Sequence, residues 1–210
     1  MSLPDFLFDG PQKAPKTFAF AHGAGAPMDS DFMDYVAKGL AEQEIRVARF
    51  EFPYMAGRRT GGKKRPPDRM PILLDTWAAV IDHLGPKNLV IGGKSMGGRM
   101  AAHAAVAAED DGAPVAGLIC LGFPFHAPGK PDKVRLDAVD RIKTPTLILQ
   151  GTRDPFGTAE QVPGYKLSQA CKVRWLEDGE HSFKPRKSSG RTKEQNWDEA
   201  VAAMVGFIRA

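Results

Sequence analysis

Short runs of apolar residues, each closed by a glycine- or proline-bearing turn, alternate along this chain with longer stretches whose apolar positions recur at helical spacing. Lys16 to Ala21 reads as a strand, preceded by a shorter one at Phe6-Leu7-Phe8. Phe32, Met33, Val36, Ala37 and Leu40 then share one face of a helix that Asp29 or Ser30 is placed to cap. Ile45 to Phe50 is the next strand. Residues 53–70 hold three prolines, three glycines and six basic residues, which reads as one long loop. Pro71 opens a helix carrying Leu74, Trp77, Val80, Ile81 and Leu84, and Gly85-Pro86 stops it. Further strands are expected at Asn88 to Ile91, Val115 to Leu121, Thr144 to Gln150 and Lys172 to Leu176. Helices are expected at Arg99 to Ala108, as a short piece near 159–168, and at the end of the chain, where Asn196 with Glu199 reads as a capping box.

Several of these strands are continuously apolar, as a strand must be when both faces of its sheet are covered. The alternation therefore predicts an α/β fold, a doubly wound, mostly parallel sheet with helices on both faces. At 210 residues the chain suits a single domain spanning 1–210. Apolar content of 42% and charged content of 26% are ordinary for a globular protein, and no apolar run approaches a membrane span. The start, Met1-Ser2-Leu3-Pro4-Asp5, lacks a secretory pattern, so the expected location is cytoplasmic. Cys120 and Cys171 fall in strand-like runs and read as small hydrophobes in a reducing compartment.

Ligands of such sheets bind outside the carboxyl ends of the strands, which directs attention to the loops after them. Gly92-Gly93-Lys94-Ser95-Met96-Gly97-Gly98 follows an apolar strand and precedes an alanine-rich helix. It fits a nucleophile elbow, Gly93-x-Ser95-x-Gly97, in which a sharp turn lifts the serine hydroxyl clear of the sheet. A phosphate-binding loop is the rival, but the glycine it needs five residues before Gly93 is Asn88, and the residues between form a strand. A serine hydroxyl needs a base, and the base needs an orienting carboxylate. Asp154 and His181 stand in that order after later strands, which makes Ser95 the nucleophile, His181 the proton carrier and Asp154 the orienting acid. The oxyanion of acyl transfer calls for two backbone donors, Met96 at the helix start and Ala24 in His22-Gly23-Ala24-Gly25.

Taken with Phe20 to Gly25, Phe52-Pro53-Tyr54-Met55, Leu121-Gly122-Phe123-Pro124, Gly151 to Gly157 and Glu180-His181-Ser182-Phe183, the elbow resembles the small dienelactone-hydrolase-like α/β-hydrolases. Within these the chain is most similar to bacterial relatives of the testis-expressed protein and of the NSL chromatin-complex subunit. The resemblance implies an α/β-hydrolase fold with minimal or no cap, no cofactor, and hydrolysis of an ester, thioester or lactone. One departure is the serine nucleophile, where dienelactone hydrolases proper use cysteine. The chromatin-associated kin keep open a non-catalytic interaction module as the alternative.

Around this constellation, His22, Lys94, Tyr54, Phe123 and His126 are candidate substrate contacts. His22 also suits shaping the oxyanion loop by hydrogen bonding, Tyr54 and Phe123 equally suit core packing, and His126 equally suits a plain loop position. His83 and His103 fall in helices and read as structural, and no His/Cys cluster has zinc spacing, so no metal is expected. The net charge of +4 is unevenly spread: Arg58 to Arg69 and Lys184 to Lys193 each carry a net +5. These basic loops, 53–70 and 184–195, are expected near the rim of the site and point to an anionic small-molecule substrate. They lack the interleaved aromatics of a nucleic-acid surface. Monomer and homodimer are both left open.

Overall fold

The computed structural model describes residues 3–210, so Met1 and Ser2 of the N-terminal reading lie outside the described residues. Seven strands form one sheet: β1 (Phe6–Asp9), β2 (Thr17–Ala21), β3 (Arg46–Phe50), β4 (Leu89–Lys94), β5 (Gly117–Leu121), β6 (Thr146–Gly151) and β7 (Cys171–Leu176). Their order is β1-β3-β2-β4-β5-β6-β7, parallel throughout except for β1, which runs antiparallel along the edge of β3. The chain moves outward from β2 to β3 and then returns to lay β4 on the other side of β2. That reversal is the switch point, and it leaves a crevice at the carboxyl ends of β2 and β4.

Helices cover both faces. α1 (Asp31–Ala41) and α5 (Lys193–Arg209) pack together on one side, burying Met33, Val36, Leu40, Val201 and Met204 against Phe18, Phe20 and Val90. α3 (Met70–Leu84) and α4 (Met96–Asp110) cover the other, where Trp77, Met100 and Ala101 meet Phe50, Ile91 and Leu118. β4, β5 and β6 are buried along their whole length, which is why they are the continuously apolar runs. β7, at an edge, alternates between half-buried and exposed positions before ending in buried Leu176. No large insertion covers the carboxyl ends of the strands, so the fold is a single-domain α/β-hydrolase fold without a lid.

Three local expectations need correction. The 53–70 segment opens as a helix, α2 (Pro53–Arg59), because Pro53 is placed at a first turn and Tyr54 and Met55 anchor it in the core. The 159–168 segment keeps only a single tight turn at Val162–Gly164, since Pro163 and Gly164 stop a helix from extending. The capping box of α5 is Thr192 with Gln195, four residues earlier than expected. Asn196 is instead fully buried, where its amide donates to the carbonyls of Glu177 and Phe183 at 3.0 and 2.7 Å.

Candidate active site

β4 delivers Ser95 into a backbone conformation of φ 51°, ψ −114° immediately before α4. A non-glycine residue held there stores strain of about 1–3 kcal/mol, so the surroundings must hold it in place. They do so by close contact. A Cβ on Gly93 would lie 2.6 Å from the Gly97 backbone, and one on Gly97 would lie 2.5 Å from the His22 carbonyl. Ser95 also donates its N–H to the Leu121 carbonyl at 2.9 Å, tying the turn to the end of β5.

Loops after β6 and β7 bring the other two groups to it. The Ser95 hydroxyl lies 2.8 Å from His181 Nε2, and His181 Nδ1 lies 2.9 and 3.1 Å from the two oxygens of Asp154. Asp154 is fully buried. Its carboxylate also accepts from Gln150 Nε2 at 3.0 Å and from the Phe156 N–H at 2.9 Å. A carboxylate offers Nδ1 only an acceptor, so Nδ1 carries the proton and Nε2 is left bare toward Ser95. The arrangement can therefore draw a proton from the serine hydroxyl. Phe156 packs against the imidazole at a tilt of 32°, ring centroids 4.2 Å apart.

These groups open into a cavity of about 360 Å³ lined by residues 23–26, Ser30, Phe32, Met33, Lys94, Ser95, Phe156, His181 and Ser182. Ala24 is among its walls and Met96 is the first residue of α4. Neither backbone N–H has an acceptor among the described residues, which for Met96 is usual at the opening of a helix.

The remaining sequence candidates separate by depth. Lys94 lines the cavity, with its ammonium donating to the His181 carbonyl at 2.8 Å, and burial pushes its pKa down to about 8. His22 is fully buried behind the cavity wall: it accepts from the Phe52 N–H at Nε2 (3.1 Å) and donates from Nδ1 to the Gly23 carbonyl (2.6 Å). Burial lowers its pKa, so the imidazole braces the loop as a neutral ring. The Tyr54 hydroxyl does similar work, 3.0 Å from the Ala24 carbonyl and 3.3 Å from that of Gly23. Phe123 packs in the core against Phe125, and His126 is held 2.9 Å from the Ala127 carbonyl and 3.2 Å from Gln161 Oε1. None of these four is among the residues that line the cavity.

Neither basic loop lines it. Arg59 is bound to Asp29 and Glu51, Arg186 to Asp178, and Arg191 to Glu199, so part of the basic charge is already neutralised by neighbouring carboxylates. Sequence reasoning passed over Phe156, Gln150 and the start of α1. Gln150 carried a signal: it is the one amide at the end of an otherwise apolar strand. Its side chain bridges Asp154 to the backbone of Phe123, accepting from Phe123 N–H at 2.8 Å.

Solved structures share this architecture at low identity. An alpha-beta serine hydrolase homologue from Coxiella burnetii superposes with a TM-score of 0.68 at 20% identity, over 95% of this chain and 89% of that one. Est1E from Butyrivibrio proteoclasticus, bound to ferulic acid, gives 0.72 at 17% identity over 98% and 96%. A lidless serine hydrolase from Xanthomonas campestris gives 0.69 at 18% identity over 100% and 95%. The family described as the alpha/beta hydrolase domain matches residues 14–209, nearly the whole chain, and this protein belongs to it.

Proposed function

We propose that this protein is a serine hydrolase that cleaves a small ester-type substrate through an acyl-enzyme on Ser95. The observation that carries the reading is the continuous path Ser95–His181–Asp154, 2.8 and 2.9 Å between successive groups, opening on the 360 Å³ cavity. Ser95 Oγ attacks the acyl carbon while His181 Nε2 takes its proton, and the carbonyl oxygen becomes an oxyanion facing the N–H groups of Ala24 and Met96. The imidazolium, stabilised by Asp154, then protonates the departing alcohol as the ester C–O bond breaks. Water repeats the sequence on the acyl-enzyme, releasing the acid and restoring Ser95.

The finer kinship with dienelactone-hydrolase-like proteins and the chromatin-subunit branch rests on the loop motifs. Among the described residues no helix is long and apolar enough to cross a membrane.

A fluorophosphonate probe tests the reading. Wild type is expected to label and to hydrolyse p-nitrophenyl butyrate, and Ser95→Ala to do neither, with turnover lowered about a millionfold. Unlabelled, well-folded wild type would overturn it in favour of a non-catalytic interaction module.

A further inference from the structure

Lys94 is the one lysine or arginine among the described residues lining the cavity, and no aspartate or glutamate lines it. Only 8% of the residue is exposed. A buried ammonium is costly unless it is paired, yet no carboxylate lies within ion-pairing distance of this one among the described residues. One of its three N–H groups is used on the His181 carbonyl at 2.8 Å, and the Phe32 ring, 5.8 Å away, offers only a weak π contact. Two donors are left without an acceptor. The negative charges that act on it, Asp154 and Glu180, form no ion pair with it, and Asp154 is already engaged with His181. The walls beside it, Phe32, Met33 and Phe156, are apolar and suit a short carbon chain.

We propose that Lys94 is the specificity residue of this cavity and receives a carboxylate that the ester substrate carries a short chain away from the scissile carbonyl. This rests on the serine-hydrolase reading and moves the anion preference from the basic loops to a single buried cation. The carboxylate completes the coordination of the ammonium in a low-dielectric setting, where a charge-assisted bond is strong. Its contribution corresponds to about a 10- to 150-fold gain in kcat/KM over a neutral substrate of equal size.

The test compares matched esters at low salt and pH 7, after subtracting uncatalysed hydrolysis. The p-nitrophenyl monoester of glutaric acid against p-nitrophenyl pentanoate places the charge on the acyl side. 4-Carboxyphenyl butyrate against 4-carbamoylphenyl butyrate places it on the leaving group. Wild type is expected to prefer the charged member of one pair at least tenfold, and Lys94→Gln, which keeps a donor for the His181 carbonyl, is expected to bring that ratio to about one. The wild-type ratio should also fall as pH rises from 7 to 9.5, because the ammonium, whose pKa lies near 8, loses its proton. Effects on the catalytic groups that are common to both members of a pair cancel from the ratio. A ratio near one in both pairs for wild type, or a preference that survives in Lys94→Gln, overturns the proposal. Fluorophosphonate labelling of Ser95 separates the two failures: labelling with no charge preference removes only the role of Lys94, and absent labelling removes the hydrolase reading as well.

Discussion

Replacing Asp154 by Asn changes one oxygen to an amino group and leaves the side-chain shape alone, so its consequences follow from the hydrogen bonds. The buried carboxylate accepts from Gln150 Nε2 at 3.0 Å on Oδ2 and from the Phe156 N–H at 2.9 Å on Oδ1, as well as from His181. An amide set with nitrogen at the first position faces the Gln150 amino group, and set the other way it faces the Phe156 N–H. Gln150 cannot turn to relieve the conflict, because its oxygen is held by the Phe123 N–H at 2.8 Å. Either orientation buries two donors against each other, at a cost of about 1–3 kcal/mol. For a chain of this length that lowers the melting temperature by about 2–4 °C per kcal/mol. With nitrogen on the Oδ2 side, His181 Nδ1 becomes an acceptor, its proton moves to Nε2, and Ser95 loses its base. Turnover should fall about 10,000-fold, equivalent to about 5.4 kcal/mol of barrier, with little change in KM. Steady-state hydrolysis of p-nitrophenyl butyrate and a thermal melt measure both arms. A turnover within tenfold of wild type would refute Asp154 as the orienting carboxylate, and an unmoved melting temperature would refute the donor conflict.

Two further substitutions probe the supports of the site. Tyr54→Phe removes the hydroxyl bonded to the Ala24 carbonyl and should cost about 1 kcal/mol of stability, read by urea denaturation. With the loop loosened at Ala24, turnover should drop several-fold, and unchanged turnover would show that the loop holds its position without this bond. Gly122→Ala puts a methyl group 2.8 Å from the His181 carbonyl and 3.0 Å from Lys94 Nζ, at φ +66°. The left-handed backbone alone costs about 1–2 kcal/mol. A melting temperature and turnover both equal to wild type would refute the close approach.

Much of the fold was legible because burial on both sides of a sheet leaves a simple mark, a continuous apolar run such as Leu118 to Leu121 or Leu147 to Leu149. The turn at Ser95 was legible for a similar reason, since the near contacts at Gly93 and Gly97 admit no side chain. Asp154 and His181 could be placed after strands by their order in the chain. Local signals misled where a distant contact decided the outcome. Residues 53–59 have a loop's composition, yet they coil into α2 because Tyr54 reaches the Ala24 carbonyl and Met55 reaches the core. Asn196 looked like a cap until Glu177 and Phe183 were brought to its amide.

By itself, then, the sequence determined the doubly wound sheet, the strained serine turn and the order of the three polar residues after separate strands. These depend on short-range sterics and on periodicity, both of which are written locally. Only the tertiary structure decided which groups reach the cavity: that His22, Tyr54, Phe123 and His126 are spent on bracing and packing, that Phe156 and Gln150 hold His181 and Asp154, and that Lys94 enters it without a carboxylate partner. Such facts depend on distances between residues far apart in the chain, such as the 2.8 Å between Lys94 and the His181 carbonyl, and a linear pattern of side chains does not record them.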